Sequence, residues 1–363
     1  MDSGLTNEIF NHYLDLQKEL NEREIFLPEN EREDHQKRTA NIIAESLISN
    51  RDDANMKLLT NFRVDEFLNI YNDVCPVLEE GVHKDSIISP QTKLLMMLCY
   101  LKYNENWRIL ARNFGINKSY AFGIVYTTIK RTVGILEEKY IKWKSVEDRL
   151  THTNDKFEDY PLLLGSVDAT VQRIQKPSQN QEEYYSGKHK CHCIKVQAFV
   201  SPEGLLMNHS KPVKGAVHDF NLFKNSELIE KIKNENIICN RLFNNNCTIL
   251  ADAGYQGISK LIPGSISPFK KSRNSELNDD QKAFNKKISH RRIIVENWFS
   301  RLKNLWGVMS NKYRLSLTNY NEIWSICAAL TNYHIMNYPL RNLEPDVEIE
   351  EDYSESSDET END

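Results

Sequence analysis

Three carboxylates, Asp168, Asp252 and Glu296, have the residue type and the setting that phosphodiester chemistry needs. Asp168 follows the apolar run PLLLGSV and Asp252 follows CTILA, and small residues come next in each case (Ala169; Ala253 and Gly254). Apolar runs of this length read as buried strands. A carboxylate at a strand end leaves the core and lines a crevice at the sheet's edge. Its hard oxygens suit Mg²⁺ or Mn²⁺, which prefer carboxylates, waters and substrate phosphates. Two such ions roughly 3.5–4 Å apart activate a water or a 3′-hydroxyl and stabilise the leaving oxygen of an in-line displacement. Either Asp, taken singly, could instead cap the turn that follows it.

Glu296 has a helical setting. The segment Asp279–Trp306 reads as one long helix. At about 100° per residue, Arg292, Glu296 and Lys303 share a face. Ile294, Trp298, Leu302 and Leu305 lie roughly opposite and can pack on a sheet or a neighbouring helix. A carboxylate between two cations suits a place where metal and phosphate meet. It equally suits a surface ion pair worth only ~0.3–0.5 kcal/mol.

Other groups invite chemistry less clearly. Asp219, in GAVHDF, reads either as a fourth acid near the metals or as a helix cap. The run His189-Lys190-Cys191-His192-Cys193 suggests zinc. On a strand, however, successive side chains point to opposite faces, and no second Cys/His pair has zinc-finger spacing. Gly187-Lys188-His189-Lys190 lacks the upstream glycine and the following Ser/Thr of a phosphate loop. Lys188 and Lys190 remain candidates for touching a DNA backbone.

The elements that must hold these groups are visible in the texture of the chain. From residue 161 it is strand-like: PLLLGSVDAT, then HCIKVQAFV turning at Pro202-Glu203-Gly204 into a second hairpin strand, then CTILADAGY. Val217–Lys231 reads as a helix with Asp219 near its start. This predicts an α/β domain over 160–340. An all-α unit over 85–135 precedes it. There, Ser89-Pro90 opens a helix with a stripe of Leu94, Leu95, Leu98 and Leu101. A second helix, Trp107–Phe114, ends at Gly115, and Asn117-Lys118-Ser119 opens a third through about Val133. The last two, with Lys118, Ser119, Tyr120, Tyr126, Thr127, Lys130 and Arg131 on the longer one, form a helix-turn-helix pattern or an ordinary helical hairpin. Residues 134–160 read as a link and 1–80 as a helical, charged N-terminal region with a linker at 21–38. Residues 341–363 read as an acidic disordered tail, either simply solvated or screening a basic surface or recruiting a basic partner.

A formal net charge of −6 argues at first against a nucleic-acid partner. Its placement reverses the argument, because eleven acidic residues and no basic one lie from Glu344 to Asp363, leaving the rest net positive. Lys260 to Lys303 holds eleven Lys or Arg against four Asp or Glu, which is either the local field that phosphates need or a solvated face. Seven cysteines without framework spacing fit free thiols in a reducing compartment. MDSGLTNEIFNHYLDLQ has no basic n-region or apolar h-region. The longest apolar run, Leu94–Leu101, is too short for a bilayer. The expectation is an intracellular chain, not secreted, with no membrane partner.

In order, GSVDAT, YYSGKHKCHCIKVQAFVSPEGLL, KPVKGAVHDFNLF, ILADAGYQGI and RRIIVENWFSRLK resemble the catalytic domain of PIF/Harbinger-type DDE transposases and their bacterial insertion-sequence relatives. The helical unit SPQTKLLMMLCYLKYNENWRILARNFGINKS is similar to the helix-turn-helix region preceding that domain, so the resemblance covers roughly residues 85–335. It implies an RNase H-like mixed sheet with flanking helices. It also implies that Asp168, Asp252 and Glu296 are the three metal-binding acids, spaced 84 and 44 residues apart much as in the family. Around the last acid the bacterial relatives carry Tyr, Arg and Lys. Arg292 and Lys303 match, and Ser289 stands where Tyr would.

The resemblance further implies hydrolysis of DNA phosphodiesters with two Mg²⁺ or Mn²⁺ ions, then strand transfer by the freed 3′-hydroxyl. The implied partners are double-stranded DNA (transposon ends and target), a homo-oligomer on that DNA, and a separate DNA-binding protein in some systems. The implied location is the nucleus in a eukaryote and the cytoplasm otherwise. Candidate DNA contacts are Arg292, Lys303, Lys188, Lys190, Lys118, Ser119, Tyr120 and Lys130. Two other readings stay open: a domesticated, non-cutting DNA-binding or adaptor protein, and a plain metal-dependent nuclease without strand transfer.

Overall fold

A computed structural model of the chain describes residues 44–80, 88–148, 160, 162–271 and 276–340. The expected linker at 21–38 and the acidic tail lie outside the described residues. Helices before the sheet include α1 (Asp53–Thr60), α2 (Val64–Glu79), α3 (Pro90–Tyr103), α4 (Trp107–Asn113) and α5 (Lys118–Tyr140). Ser89 Oγ accepts from Thr92 N at 3.1 Å, so α3 begins where Ser-Pro predicts. All residues from Leu94 to Leu101 are buried, which marks α3 as a central helix rather than a one-faced one. Gly115 adopts φ 63°, the left-handed turn that lets α4 stop and α5 start three residues later. Asn117 caps α5, accepting from Tyr120 N at 2.8 Å.

Helix α5 continues to Tyr140 instead of ending near Val133, so 134–140 is helix and not a link. Gly134 lies inside it. Leu136 and Tyr140 extend the buried stripe that Thr128 and Thr132 carry, and that packing outweighs the weak propensity of one glycine. Arg131 is structurally engaged, donating to the carbonyls of Val77 and Glu80 at 2.9 Å each, in the last turn and at the C-cap of α2.

The sheet is built from β1 (Leu163–Arg173), β2 (Tyr185–Ser186), β3 (Cys191–Val200), β4 (Leu206–His209), β5 (Val213–Lys214), β6 (Thr248–Ala251) and β7 (Ser265–Ile266). The order is β2-β3-β1-β6-β7, with β4 and β5 also paired to β3. β1 runs antiparallel to β3 and parallel to β6, which makes the sheet mixed. The predicted hairpin is β3–β4. The longer helices of this domain are α6 (Asp219–Lys224), α7 (Leu228–Phe243), α8 (Asp279–Leu305) and α9 (Tyr320–Asn337). The single helix expected over Val217–Lys231 is therefore two. Ser226 Oγ donates to Phe223 O at 2.7 Å, the local side-chain bonding that competes with helix continuation.

Each face of the sheet has its own core. Ile194, Val196, Ala198 and Val200 of β3 pack with Ile294, Val295 and Trp298 of α8, with α9 and with the N-terminal helices. Phe199 of β3 joins Leu164 and Val167 of β1 against Phe223, Ile232 and Cys239 of α6 and α7. Alternate side chains of one strand thus feed two layers. Asn332 of α9, fully buried, joins four elements. Its Oδ1 accepts from Leu206 N at 2.9 Å and Trp298 Nε1 at 3.0 Å. Its Nδ2 donates to the carbonyls of Tyr140 and Leu206 at 2.8 Å each. No disulfide joins any of the seven cysteines. Among the described residues, no helix is long and apolar enough to cross a membrane.

Candidate active site

The register of β1 places the first two acids. Its parallel pairing with β6 ends at Val167 opposite Ala251. The next residues, Asp168 and Asp252, therefore leave the ladder side by side, on strands about 4.8 Å apart. The apolar run stops at Asp168 as the sequence suggests, but the strand does not. β1 continues on β3 alone as far as Arg173, with Asp168 opposite Ala198. Residues 168–171 are half-buried where 163–167 are fully buried, because β6 no longer covers that edge.

The third acid arrives on α8. A reciprocal cap starts this helix: Asn278 Oδ1 accepts from Gln281 N at 2.8 Å, and Gln281 Oε1 accepts from Asn278 N at 3.1 Å. Ile294, Trp298, Leu302 and Leu305 are buried, as their spacing predicts. The helix packs across β1, β3 and β6, and Arg292 reaches over the acids. Arg292 Nη1 donates to Asp168 Oδ2 at 3.1 Å. Its Nη2 donates to Glu296 Oε1 at 2.6 Å and lies 3.8 Å from Asp252 Oδ1. One buried guanidinium therefore touches carboxylates separated widely along the chain.

Residues 167–332 match the family described as DDE superfamily endonuclease. The match begins one residue before Asp168 and ends at Asn332, so it contains all three acids and the helix that carries the last. A probable transposase for insertion sequence element IS702, from Microchaete diplosiphon, is 30% identical over 172 residues, 47% of this chain and 56% of that protein. The chain thus spans about half the length of the curated relative it matches. No solved structure matches.

Within the endonuclease match, Asp219 stands with the other acids. It is the first residue of α6, and no side chain caps that helix. A Cβ added to Gly254 would lie 3.1 Å from Asp219 Oδ2 and 3.7 Å from Asp252 Oδ2. Glycine thus keeps open the space those two carboxylates flank. Asp219 Oδ1 accepts from buried Lys195 Nζ at 2.7 Å, and Nζ also donates to Val217 O at 2.6 Å. Tyr255, fully buried, has a hydroxyl with no partner among the described residues. Burial, and then the charges of Asp168, Asp219 and Asp252, hold its pKa well above the ordinary tyrosine value. Sequence reasoning singled out neither residue. The available signal for Lys195 is a lone cation inside the apolar strand CIKVQAF, and for Tyr255 its place directly after DAG.

The remaining candidates lie elsewhere. Lys188 and Lys190 are exposed in a turn over 187–190, Lys190 at φ 49°, so the strand begins at Cys191 and not at His189. His189 has its pKa lowered by burial and then by Lys188 and Lys195, with Lys303 adding a little and Asp219 opposing. Lys303 is partly buried, and desolvation lowers its pKa. Arg292 is buried against the acids, not open to a phosphate as its helical face suggests. Lys118, Ser119 and Tyr120 at the start of α5, and Lys130 farther along it, are exposed.

Four carboxylates against Arg292 and Lys195 leave surplus negative charge. Burial raises the Asp168 carboxyl to about 6, and Asp252 and Asp219 push the same way against the Ala169 N–H and Arg292. The donor chemistry fits hard divalent cations, and so does the charge. In this state the carboxylates are spread around Arg292, and among the described residues no three His, Cys, Asp or Glu groups are set to hold one ion. The Lys195–Asp219 pair yields one expected result. Lys195→Met should cost about 3 kcal/mol in urea unfolding, because it strands a buried carboxylate beside other acids. Adding Asp219→Asn should restore most of it. A single variant as stable as wild type would show that the pair holds nothing together.

Proposed function

We propose that this chain is a metal-dependent DNA endonuclease of the transposase kind, with an RNase H-like catalytic domain of PIF/Harbinger type. The observation that carries this reading is the convergence of Asp168, Asp252 and Glu296 on one guanidinium, and the endonuclease match supports it. Asp168, Asp252 and Glu296, with Asp219 as a fourth acid, would hold two Mg²⁺ or Mn²⁺ ions. Those ions, when bound, supply an activated water or 3′-hydroxyl and a stabilised leaving oxygen.

The chain's own residues do the rest. Arg292 and Lys195 offset the mutual repulsion of the acids before metal arrives. Glu296, half exposed, forms the solvent side of the cluster, and Asp168 its more enclosed side. Once the acids are engaged elsewhere, Arg292 is free to turn toward a substrate phosphate, which its planar fork suits. Lys188, Lys190 and Lys303 add positive charge for a DNA backbone. Helices α4 and α5 would act as the helix-turn-helix, presenting Lys118, Ser119, Tyr120 and Lys130 to double-stranded DNA. Transposon ends and target would be the partners, bound by a homo-oligomer with or without a separate DNA-binding protein, in the nucleus or, without one, the cytoplasm.

One observation favours a non-cutting binder instead: Arg292 fills the space between the acids. Nicking of supercoiled plasmid decides between them. Wild type should nick with Mn²⁺ or Mg²⁺ and stop when EDTA removes the metal. Glu296→Gln should be slower by at least about 100-fold. A donor oligonucleotide with a 3′-hydroxyl end then separates strand transfer from plain hydrolysis. Tight DNA binding with no nicking under any metal would sink the catalytic reading.

A further inference from the structure

The Tyr255 hydroxyl and Arg292 Nε, both buried beside the acids, have no hydrogen-bond partner among the described residues. A buried hydroxyl left unpaired is costly and calls for an explanation. Tyr255 is held in place from two sides. Its N–H donates to Asp252 O at 2.9 Å, which closes the turn that leaves β6. Its ring meets Phe223 of α6 edge-on, with centroids 6.0 Å apart, and α6 begins at Asp219. The main chain thus ties Tyr255 to one acid, and ring packing ties it to the helix that carries another. The charges of Asp168, Asp219, Asp252 and Arg292 all reach its hydroxyl.

The acids themselves are unequally served. Asp168 Oδ1 accepts from Ala169 N at 2.7 Å, and its Oδ2 accepts from Arg292 Nη1 at 3.1 Å. Asp219 Oδ1 accepts from Lys195 at 2.7 Å. Asp252 Oδ1 lies 3.8 Å from Arg292 Nη2, too far for a hydrogen bond. Arg292 therefore bonds Asp168 and Glu296 and serves Asp252 by charge alone. When the guanidinium turns toward a phosphate, Asp168 Oδ2 loses its donor on the enclosed side of the cluster.

Tyr255 supplies a donor of a different kind. Burial and the surrounding negative charge keep its proton on, so the hydroxyl offers an O–H. A neutral donor satisfies a carboxylate oxygen without cancelling the charge that attracts a divalent ion. A carboxylate that ligates an ion is itself oriented by such a hydrogen bond. We propose that Tyr255 is a positioning residue: its hydroxyl donates to the Asp168 oxygen that Arg292 gives up on leaving the acids. The phenol replaces the guanidinium, and the most enclosed carboxylate keeps both its orientation and its charge. This inference rests on the endonuclease reading, which supplies the reason for Arg292 to move.

Tyr255→Phe in the full chain keeps the ring and removes only the hydroxyl. Without metal the variant should melt no lower than wild type, since the group it loses has no partner. Calorimetric titration with Mn²⁺ should show an affinity weaker by at least about tenfold. Mn²⁺ should move tyrosine absorption to longer wavelength in wild type and less in the variant, because a donating phenol absorbs farther to the red. At saturating Mn²⁺ the variant should nick plasmid within about threefold of the wild-type rate, since the hydroxyl acts through a carboxylate and not on DNA. A lower metal-free Tm, an unchanged Mn²⁺ affinity, an equal spectral shift or slow nicking at saturation would each overturn the proposal. Wild type that nicks but binds Mn²⁺ no better than the variant sinks only this inference. Wild type that binds Mn²⁺ at least about tenfold better than the variant yet never nicks sinks only the endonuclease reading.

Discussion

Asp168→Asn should yield a protein that is more stable than wild type without metal and unable to cut DNA. The stability gain follows from the raised carboxyl, about 6 in the fold against ~3.9 for an unfolded Asp. The folded state holds that proton more tightly than the unfolded state does. The stability linked to this group is therefore complete below pH ~4 and is lost as the pH climbs through ~6. At pH ~7 the wild type bears the cost of a buried charge among acids, on the order of 2 kcal/mol. Asn removes that cost while keeping an acceptor for Arg292. Calorimetry from pH ~4 to ~7 should show the two proteins converging at the acid end and separating as the pH rises. A lower Tm for the variant at neutral pH would mean that the Arg292 ion pair outweighs desolvation. Plasmid nicking should fall at least about a thousandfold, and added Mg²⁺ should raise the Tm of wild type only. Undiminished nicking would end the assignment of this acid.

Asn332→Leu should unfold at markedly lower urea, having lost about 4–5 kcal/mol. Leucine has a similar volume, so the loss is not that of a cavity. It strands Trp298 Nε1, the Leu206 N–H and the carbonyls of Leu206 and Tyr140, all in a dry core. The separate penalties are not additive, yet their number places the variant among the severe ones. A loss under about 1 kcal/mol would show that these groups find other partners. The same residue ties α8 to β4 and α5, so survivors of the substitution should also show a misplaced Glu296 and slower nicking.

The placement of the candidate acids was legible where its signals are local. An apolar run ending in Asp and followed by small residues marks where the β1–β6 pairing stops: Asp252 follows the last residue of β6, whereas Asp168 stays in β1 opposite Ala198. The stripe Ile294, Trp298, Leu302 and Leu305 announces which face of α8 is buried. What was illegible depends on partners remote in sequence. β1 outlasts its apolar run because β3 pairs with it through Arg173. Helix α5 outlasts Gly134 because Leu136 and Tyr140 are buried. The break between α6 and α7 depends on a single serine bonding to the backbone behind it. Arg292 and Lys195 are visible as cations in the sequence, but which anions they face is a property of the packed sheet and helix. Asp219 offered two readings, and its neighbours Lys195 and Gly254 could not be read from the sequence.

The last paired rung between β1 and β6 has a mechanical consequence. Asp168 and Asp252 stand on adjacent rails whose gap is set by main-chain hydrogen bonding, so thermal motion cannot widen it without tearing the sheet. Glu296 rides on a rod clamped well down its length, where Trp298 meets Asn332 and the Leu305 carbonyl meets Asn61. Any change in aperture needed to admit a substrate must then come from tilting or sliding that rod against two fixed posts.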